Sequence, residues 1–181
     1  MSQDKSNNWP LPSRGFVDCF GCSPYNAKGL KLKIWYAEKG CMSYYTIPIE
    51  YCGFKGLAHG GIIATLLDEV AAWTIVAQLF RVGITRQISI RYLKPVPTNE
   101  ELEIKGELIR NDDQNAVVHT KIRSKEGVLL AEAESKWLLP TFSTIEEITG
   151  INKEEMEKTM KRIIDPIHEV IQKQKKRTIN K

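Results

Sequence analysis

Two kinds of residue interrupt an apolar stretch in the middle of this chain, and both suit chemistry. In Gly56-Leu57-Ala58-His59-Gly60-Gly61-Ile62-Ile63-Ala64-Thr65-Leu66-Leu67-Asp68-Glu69, a His-Gly-Gly opens a predicted helix and two acids follow in its interior. A helix N-terminus presents backbone N–H groups without intrahelical acceptors, together with partial positive charge. Glycine there lets a ligand approach the backbone closely. Gly60 and Gly61 therefore form a candidate site for polarising a carbonyl or holding an oxyanion. Asp68 has Gly61, Ala64, Ala71 and Ala72 around it at helical spacings, so its carboxylate is open to close approach. The plainer alternatives are a cap for His59, packing for the two glycines, a buried ion pair with a sheet arginine for Asp68, and a structural or interface charge for Glu69.

The elements around this run decide whether its groups can meet. Leu30, Leu32, Ile34 and Tyr36 alternate with Lys31, Lys33 and Trp35, which predicts a strand, and Met42 to Ile49 predicts a second. Gly53 to Ala58 reads as a loop. The helix should run from about His59 to Phe80, roughly 30 Å, and being apolar nearly all round it should be enclosed. It lacks Lys and Arg and is long enough to span a bilayer, but Asp68 and Glu69 near its centre argue for burial inside protein.

Four further strands are expected. Ile84 to Leu93 puts Ile88, Ile90 and Tyr92 on one face and Thr85, Gln87, Ser89 and Arg91 on the other; Leu102 to Arg110, Ala116 to Arg123 and Val128 to Leu139 follow. Hairpin-length turns make the last strands antiparallel neighbours. Two strands, one long apolar helix and four strands predict an α+β fold with a curved antiparallel sheet wrapped around the helix.

Beyond Pro140, Met156, Met160, Ile163, Ile164, Ile167, Val170 and Ile171 recur at spacings of three and four, predicting an amphipathic helix that Asn152 caps and Pro166 kinks or divides. We divide the 181 residues into an irregular arm (1–15), the sheet-and-helix domain (16–140) and a helical, basic extension (141–181).

Charge confirms that division. The net formal charge is +4, and residues 153–181, with nine Lys/Arg against five Asp/Glu, carry all of it. The balance is too mild for a nucleic-acid binder, and the tail has no aromatic residue to stack on bases. Its apolar stripe is expected to pack on the domain or on a partner subunit; docking on an anionic membrane is the less favoured alternative. Cys19, Cys22, Cys41 and Cys52 are expected to be free thiols in the cytoplasm, because the N-terminus has no apolar leader segment. Cys19-x-x-Cys22 raises zinc, but a zinc site takes about four ligands and no second close pair follows, so no metal is expected. Neither a Gly-x-Ser-x-Gly elbow nor a phosphate-binding loop occurs.

The helix run, with Asp nine residues after the His, resembles the signature of hotdog-fold acyl-CoA thioesterases of the phenylacetic-acid-pathway and 4-hydroxybenzoyl-CoA type. Arg91-Tyr92-Leu93-Lys94-Pro95-Val96 and Cys19-Phe20-Gly21-Cys22 with Asn26-Ala27-Lys28-Gly29-Leu30 fit the same family, over about Cys19 to Leu139. The resemblance implies a hotdog fold, a homodimer or tetramer, and an active site shared between subunits. It implies Asp68 as general base or nucleophile, Gly60 as the carbonyl-polarising N–H, and Thr85 as the residue orienting water. His59 is a further candidate catalytic residue and Gly61 a candidate substrate-binding one. Arg86, Arg91 and Lys94 are candidate cations for the phosphates of coenzyme A, which enters as part of the substrate; no cofactor is expected. Gly53 departs from the Asn or Gln that many relatives carry six residues before the His. That departure keeps a non-catalytic acyl-CoA binder as the rival, with a hydroxyacyl thioester dehydratase behind it.

Overall fold

The computed structural model describes residues 10–13, 17–150 and 152–179. The strands β1 (Trp35–Ala37) and β2 (Gly40–Thr46) lead through a short 3-10 turn (Ile49–Tyr51) to a small hairpin, β3 (Cys52–Phe54) and β4 (Leu57–Ala58). The long helix α1 (Gly60–Leu79) follows, then β5 (Ile84–Tyr92), β6 (Glu101–Asn111), β7 (Asn115–Ser124) and β8 (Leu129–Leu138). The chain ends in α2 (Phe142–Thr149) and α3 (Lys153–Ile179).

Six strands form one antiparallel sheet in the order β1-β2-β6-β7-β8-β5. Alternation decides its inner face. Ile104 pairs with Ile122 across β6 and β7, and Thr120 with Ala133 across β7 and β8. All four are buried beneath α1, whose Leu66, Leu67, Val70, Ala71 and Ile75 are completely enclosed. The helix long enough to cross a membrane is thus the core helix of this domain. It lies very close to the sheet at Gly106, where a Cβ would collide with Thr74 Oγ1 and come within 3.2 Å of the Val70 carbonyl.

Four expectations are corrected. Leu30, Leu32 and Ile34 are buried as their alternation requires, but they pair with the loop before them rather than with the sheet. Leu30 and Leu32 donate to the carbonyls of Phe20 and Gly21, and Ile34 accepts from Leu11. Lys31 has a φ of 55°, which breaks the extended run, so β1 begins only at Trp35. The second strand stops at Thr46, two residues before Pro48, whose missing N–H cannot join a ladder. Gly53 to Ala58 forms the β3–β4 hairpin instead of an open loop.

Pro166 does not divide α3. Its ring faces solvent, and the buried residues on either side, Ile163 and Ile167, fix both segments to the same surface. Asn152 caps α3 as expected, its Oδ1 accepting from the Glu155 N–H at 2.9 Å. Most of the proposed arm, residues 1–9 and 14–15, lies outside the described residues; within it, Leu11 is buried.

The extension packs on its own domain. Ile163, Ile167 and Ile171 join the main core, the latter two with no exposed surface. His168 stacks edge-on against Phe80 at 4.8 Å, and the Lys175 ammonium lies 5.5 Å from the centre of the Tyr36 ring.

Candidate active site

The first turn of α1 is built by His59. Its backbone is extended, and its Nδ1 accepts the Gly61 N–H at 3.0 Å, the geometry of an N-cap. That bond leaves Nδ1 unprotonated, so a neutral His59 carries its proton on Nε2. With Gly61 engaged by the cap, the Gly60 N–H remains a first-turn donor with no i−4 carbonyl of its own helix to bond. Tyr92 closes over this turn. Its hydroxyl donates to the Gly60 carbonyl at 3.1 Å, and a Cβ at Gly60 would lie in ordinary contact with it at 3.7 Å. Tyr92 was not singled out from sequence as a site residue. Its signal was its place on the Ile88–Ile90 face, which leads straight to the helix start.

Asp68 lies on a half-open face of α1 with Gly61, Ala64, Thr65 and Ala72, where small side chains leave the carboxylate reachable. Burial raises its pKa, and the Thr85 hydroxyl, donating to Oδ1 at 3.0 Å, opposes that rise. Among the described residues Asp68 makes no ion pair, so a buried pairing with a sheet arginine does not occur.

Strict alternation would send Thr85 to the outer face with Gln87, Ser89 and Arg91. A bulge prevents this. Thr85 pairs with Trp137 and Gln87 with Lys136, leaving Arg86 as the extra residue between them. The parity flips, and Thr85 joins Ile88 and Ile90 facing the helix. Threonine at 85 should therefore tolerate serine but not valine. Thr85→Val is expected to lower the turnover of any Asp68-dependent reaction about tenfold; Thr85→Ser within threefold of wild type completes the test.

The candidate cations separate. Arg91 points to the outer face, where its guanidinium pairs with Glu132 at 2.9 Å beside His119. It is therefore not brought to Asp68 within one chain. Arg86 is exposed on the bulge and Lys94 is exposed just past β5. Gly53 packs against the His59 backbone, a Cβ there coming 3.3 Å from the His59 Cα.

Glu69 turns about 100° away from Asp68 around the helix. Its Oε1 accepts from Trp73 Nε1 at 3.1 Å, and the Cys19 thiol lies 3.5 and 3.6 Å from its two oxygens. Burial pushes its pKa up to about 7. The thiol of Cys22, together with backbone N–H groups of Cys22 and Gly21, draws Cys19 down to about 5. All four cysteines are free thiols.

Residues 55–131 match the thioesterase superfamily, the stretch from the β3–β4 hairpin into β8. That match covers less than half of the chain. Among curated proteins, the chain is 25% identical to verlamelin biosynthesis protein B of Lecanicillium sp, over 59% of this chain and 59% of that one. It is 26% identical to acyl-coenzyme A thioesterase THEM4 of Mus musculus, over 56% of this chain and 44% of that one. The chain thus spans less than two thirds of either relative. Among solved structures, a hypothetical thioesterase with coenzyme A from Streptococcus pneumoniae TIGR4 superposes with a TM-score of 0.57 and 26% identity, over 60% of this chain and 85% of that one. The thioesterase fold is thus the expected hotdog: a curved antiparallel sheet around one helix, with helices added at the C-terminus.

Proposed function

We propose that this domain hydrolyses an acyl-CoA thioester to a carboxylate and coenzyme A. The observation that carries the reading is the Thr85–Asp68 hydrogen bond on a helix face lined by small residues. A carboxylate left open on an otherwise buried helix, and held by one hydroxyl, is suited to accepting a proton from water or to attacking a carbonyl. Coenzyme A in the streptococcal relative and the activity in the murine relative's name support the substrate class.

The reaction needs a carbonyl-polarising donor near the base. Gly60 offers one, but eight helical residues separate it from Asp68, about 12 Å along the axis. One thioester carbon cannot lie against both within a single chain. A second copy supplies the missing half: Asp68 of one protomer faces the Gly60 turn of the other. β5, at one edge of the sheet with a free ladder of backbone groups, is the natural place for that copy to join. In the shared site the Gly60 N–H binds the thioester oxygen. Asp68 takes a proton from water, or itself attacks, while Thr85 keeps the carboxylate oriented. On the general-base route, addition of water to the carbonyl and expulsion of the CoA thiolate complete the transfer. If Asp68 itself attacks, expulsion of the thiolate leaves a mixed anhydride on Asp68, which water then hydrolyses to free the carboxylate and restore Asp68. The thiolate takes up one proton, and water supplies the atoms of the new carboxylic acid.

Two measurements test this. Release of free thiol from a panel of aliphatic and aromatic acyl-CoAs should exceed the protein-free rate for at least one member. Coenzyme A binding without thiol release from any member would instead favour the non-catalytic binder that Gly53 keeps in play. The dehydratase reading weakens because His59 spends Nδ1 on its own helix cap. Sedimentation at micromolar concentration should give a dimer or tetramer; an active monomer would contradict the shared site.

A further inference from the structure

Cys19 and Cys22 lie against Glu69 in the third turn of α1, about 100° around the helix from Asp68, and folding brings them a third donor that the sequence spacing did not reveal. The Cys19 and Cys22 sulfurs and a Glu69 oxygen all lie within 4.8 Å of one another. We propose that these three side chains bind a thiophilic divalent cation of the zinc class, with an exchangeable water as the fourth ligand. This goes beyond the thioesterase reading and does not depend on it.

The spacing fits a tetrahedral ion. Zinc–sulfur and zinc–oxygen bonds of about 2.3 and 2.1 Å at a tetrahedral angle set sulfur and oxygen about 3.6 Å apart. The Cys19 sulfur lies 3.5 and 3.6 Å from the two Glu69 oxygens. Three features prepare the donors. The Cys22 N–H points at the Cys19 sulfur at 3.4 Å, a bond that stabilises a thiolate. Trp73 Nε1 holds Glu69 Oε1 at 3.1 Å, the outer-shell bond that orients a carboxylate ligand. Gly21, between the cysteines, has no side chain where a Cβ would run into the Glu69 carboxylate.

The turn is also fixed from behind. Leu30 and Leu32 donate to the carbonyls of Phe20 and Gly21 at 2.7 and 2.9 Å. A cavity of about 200 Å³, lined by the three donors with Trp73, Val82 and Gly83, adjoins the cluster and has room for the fourth ligand. Two thiolates select zinc over magnesium or calcium. Counted from two protonated thiols and an ionised carboxylate, binding of M²⁺ gives a singly negative site and releases two protons to solution. The ion would tie the N-terminal turn to the helix residue next to Asp68.

The test uses the full chain, reduced and stripped with chelator under anaerobic conditions. Titration with Co²⁺ should produce a near-ultraviolet thiolate-to-cobalt charge-transfer band and intense tetrahedral visible bands, both lost on adding one equivalent of Zn²⁺. Zinc should protect Cys19 and Cys22 from a thiol reagent and leave exposed Cys52 reactive. Glu69→Gln, which preserves side-chain size and whose folding a melting curve checks, should weaken Zn²⁺ binding at least about tenfold, whereas Cys52→Ser should not change it. Absence of the charge-transfer band in the wild-type chain overturns the proposal. So does unchanged Zn²⁺ affinity in a folded Cys19→Ser, Cys22→Ser double variant. A Cys19–Cys22 disulfide that, once reduced, still binds no Zn²⁺ overturns it too and makes the pair a redox couple instead.

Discussion

Replacing Asp68 with asparagine will lower thioester hydrolysis at least about a hundredfold, with the thermal midpoint close to that of the wild type. Asparagine keeps the volume and can still accept the Thr85 hydroxyl's hydrogen bond. What it loses is the negative charge that takes a proton from water or attacks the carbonyl. The stability side of the expectation follows from position. Asp68 lies on the half-open face of α1, and burial already disfavours its charged form, so removing that charge leaves no buried partner stranded. Coenzyme A binding should survive, because in the proposed site the carboxylate acts at the acyl carbon and not at the nucleotide. Hydrolysis within threefold of wild type in the folded variant would move the chemistry to another residue. Loss of binding together with hydrolysis would mean that Asp68 shapes the pocket instead of acting in it.

How far this site could be read in advance depended on which physical signal carried each residue. The helix and its two unusual features, a His-Gly-Gly start and mid-helix acids, are visible in the sequence because hydrophobic burial makes every polar interruption conspicuous. The same holds for the sheet's inner face, where Val118, Thr120 and Ile122 alternate as the sequence requires. Thr85 shows where the pattern fails. Its residue type fitted the role, but alternation pointed it outward, and only the one-residue bulge at Arg86 turns it toward Asp68. A bulge leaves no periodic trace, since it is itself a break in the period. Arg91 shows the converse. Its neighbours in sequence lie beside the site, yet strand alternation sends its side chain to Glu132 on the opposite face.

Contacts between distant segments were the least legible. In the sequence, Glu69 reads as a charge beside the candidate catalytic acid. Its partners, Cys19 and Trp73, come from a turn 50 residues earlier and from the next turn of α1. The run from Leu30 to Ile34 has the alternation of a strand, but its hydrogen bonds go to the cysteine turn. Periodicity reports which side chains are buried; it does not report which backbone they pair with. That distinction is what hid the meeting of the Cys-x-x-Cys turn with α1.

The C-terminal helix supplies the other large effect. Ile167→Ala should destabilise the protein by about 2–5 kcal/mol, the cost of an isoleucine-sized cavity in a closed core. At roughly 2–4 °C per kcal/mol for a chain of this size, the Tm should fall by about 4–20 °C. The reason is geometric. Ile167 has no exposed surface and packs in the same core as Leu66, Leu67 and Val70 of α1, so the extension closes the domain rather than trailing from it. Lys173, on the same helix but exposed and with only a 3.9 Å surface pair to Glu169, should tolerate alanine within about 0.5 kcal/mol. A membrane-docking stripe predicts a different pattern. Ile167→Ala would then leave the Tm unchanged while abolishing co-sedimentation with anionic vesicles. Melting curves of the two variants, with vesicle sedimentation alongside, separate the cases. The packed arrangement also predicts that Ile171→Ala reproduces the loss. Ile167 and Ile171 are one helical turn apart and buried in the same core, so their double variant should cost less than the sum of the two if the cavities merge.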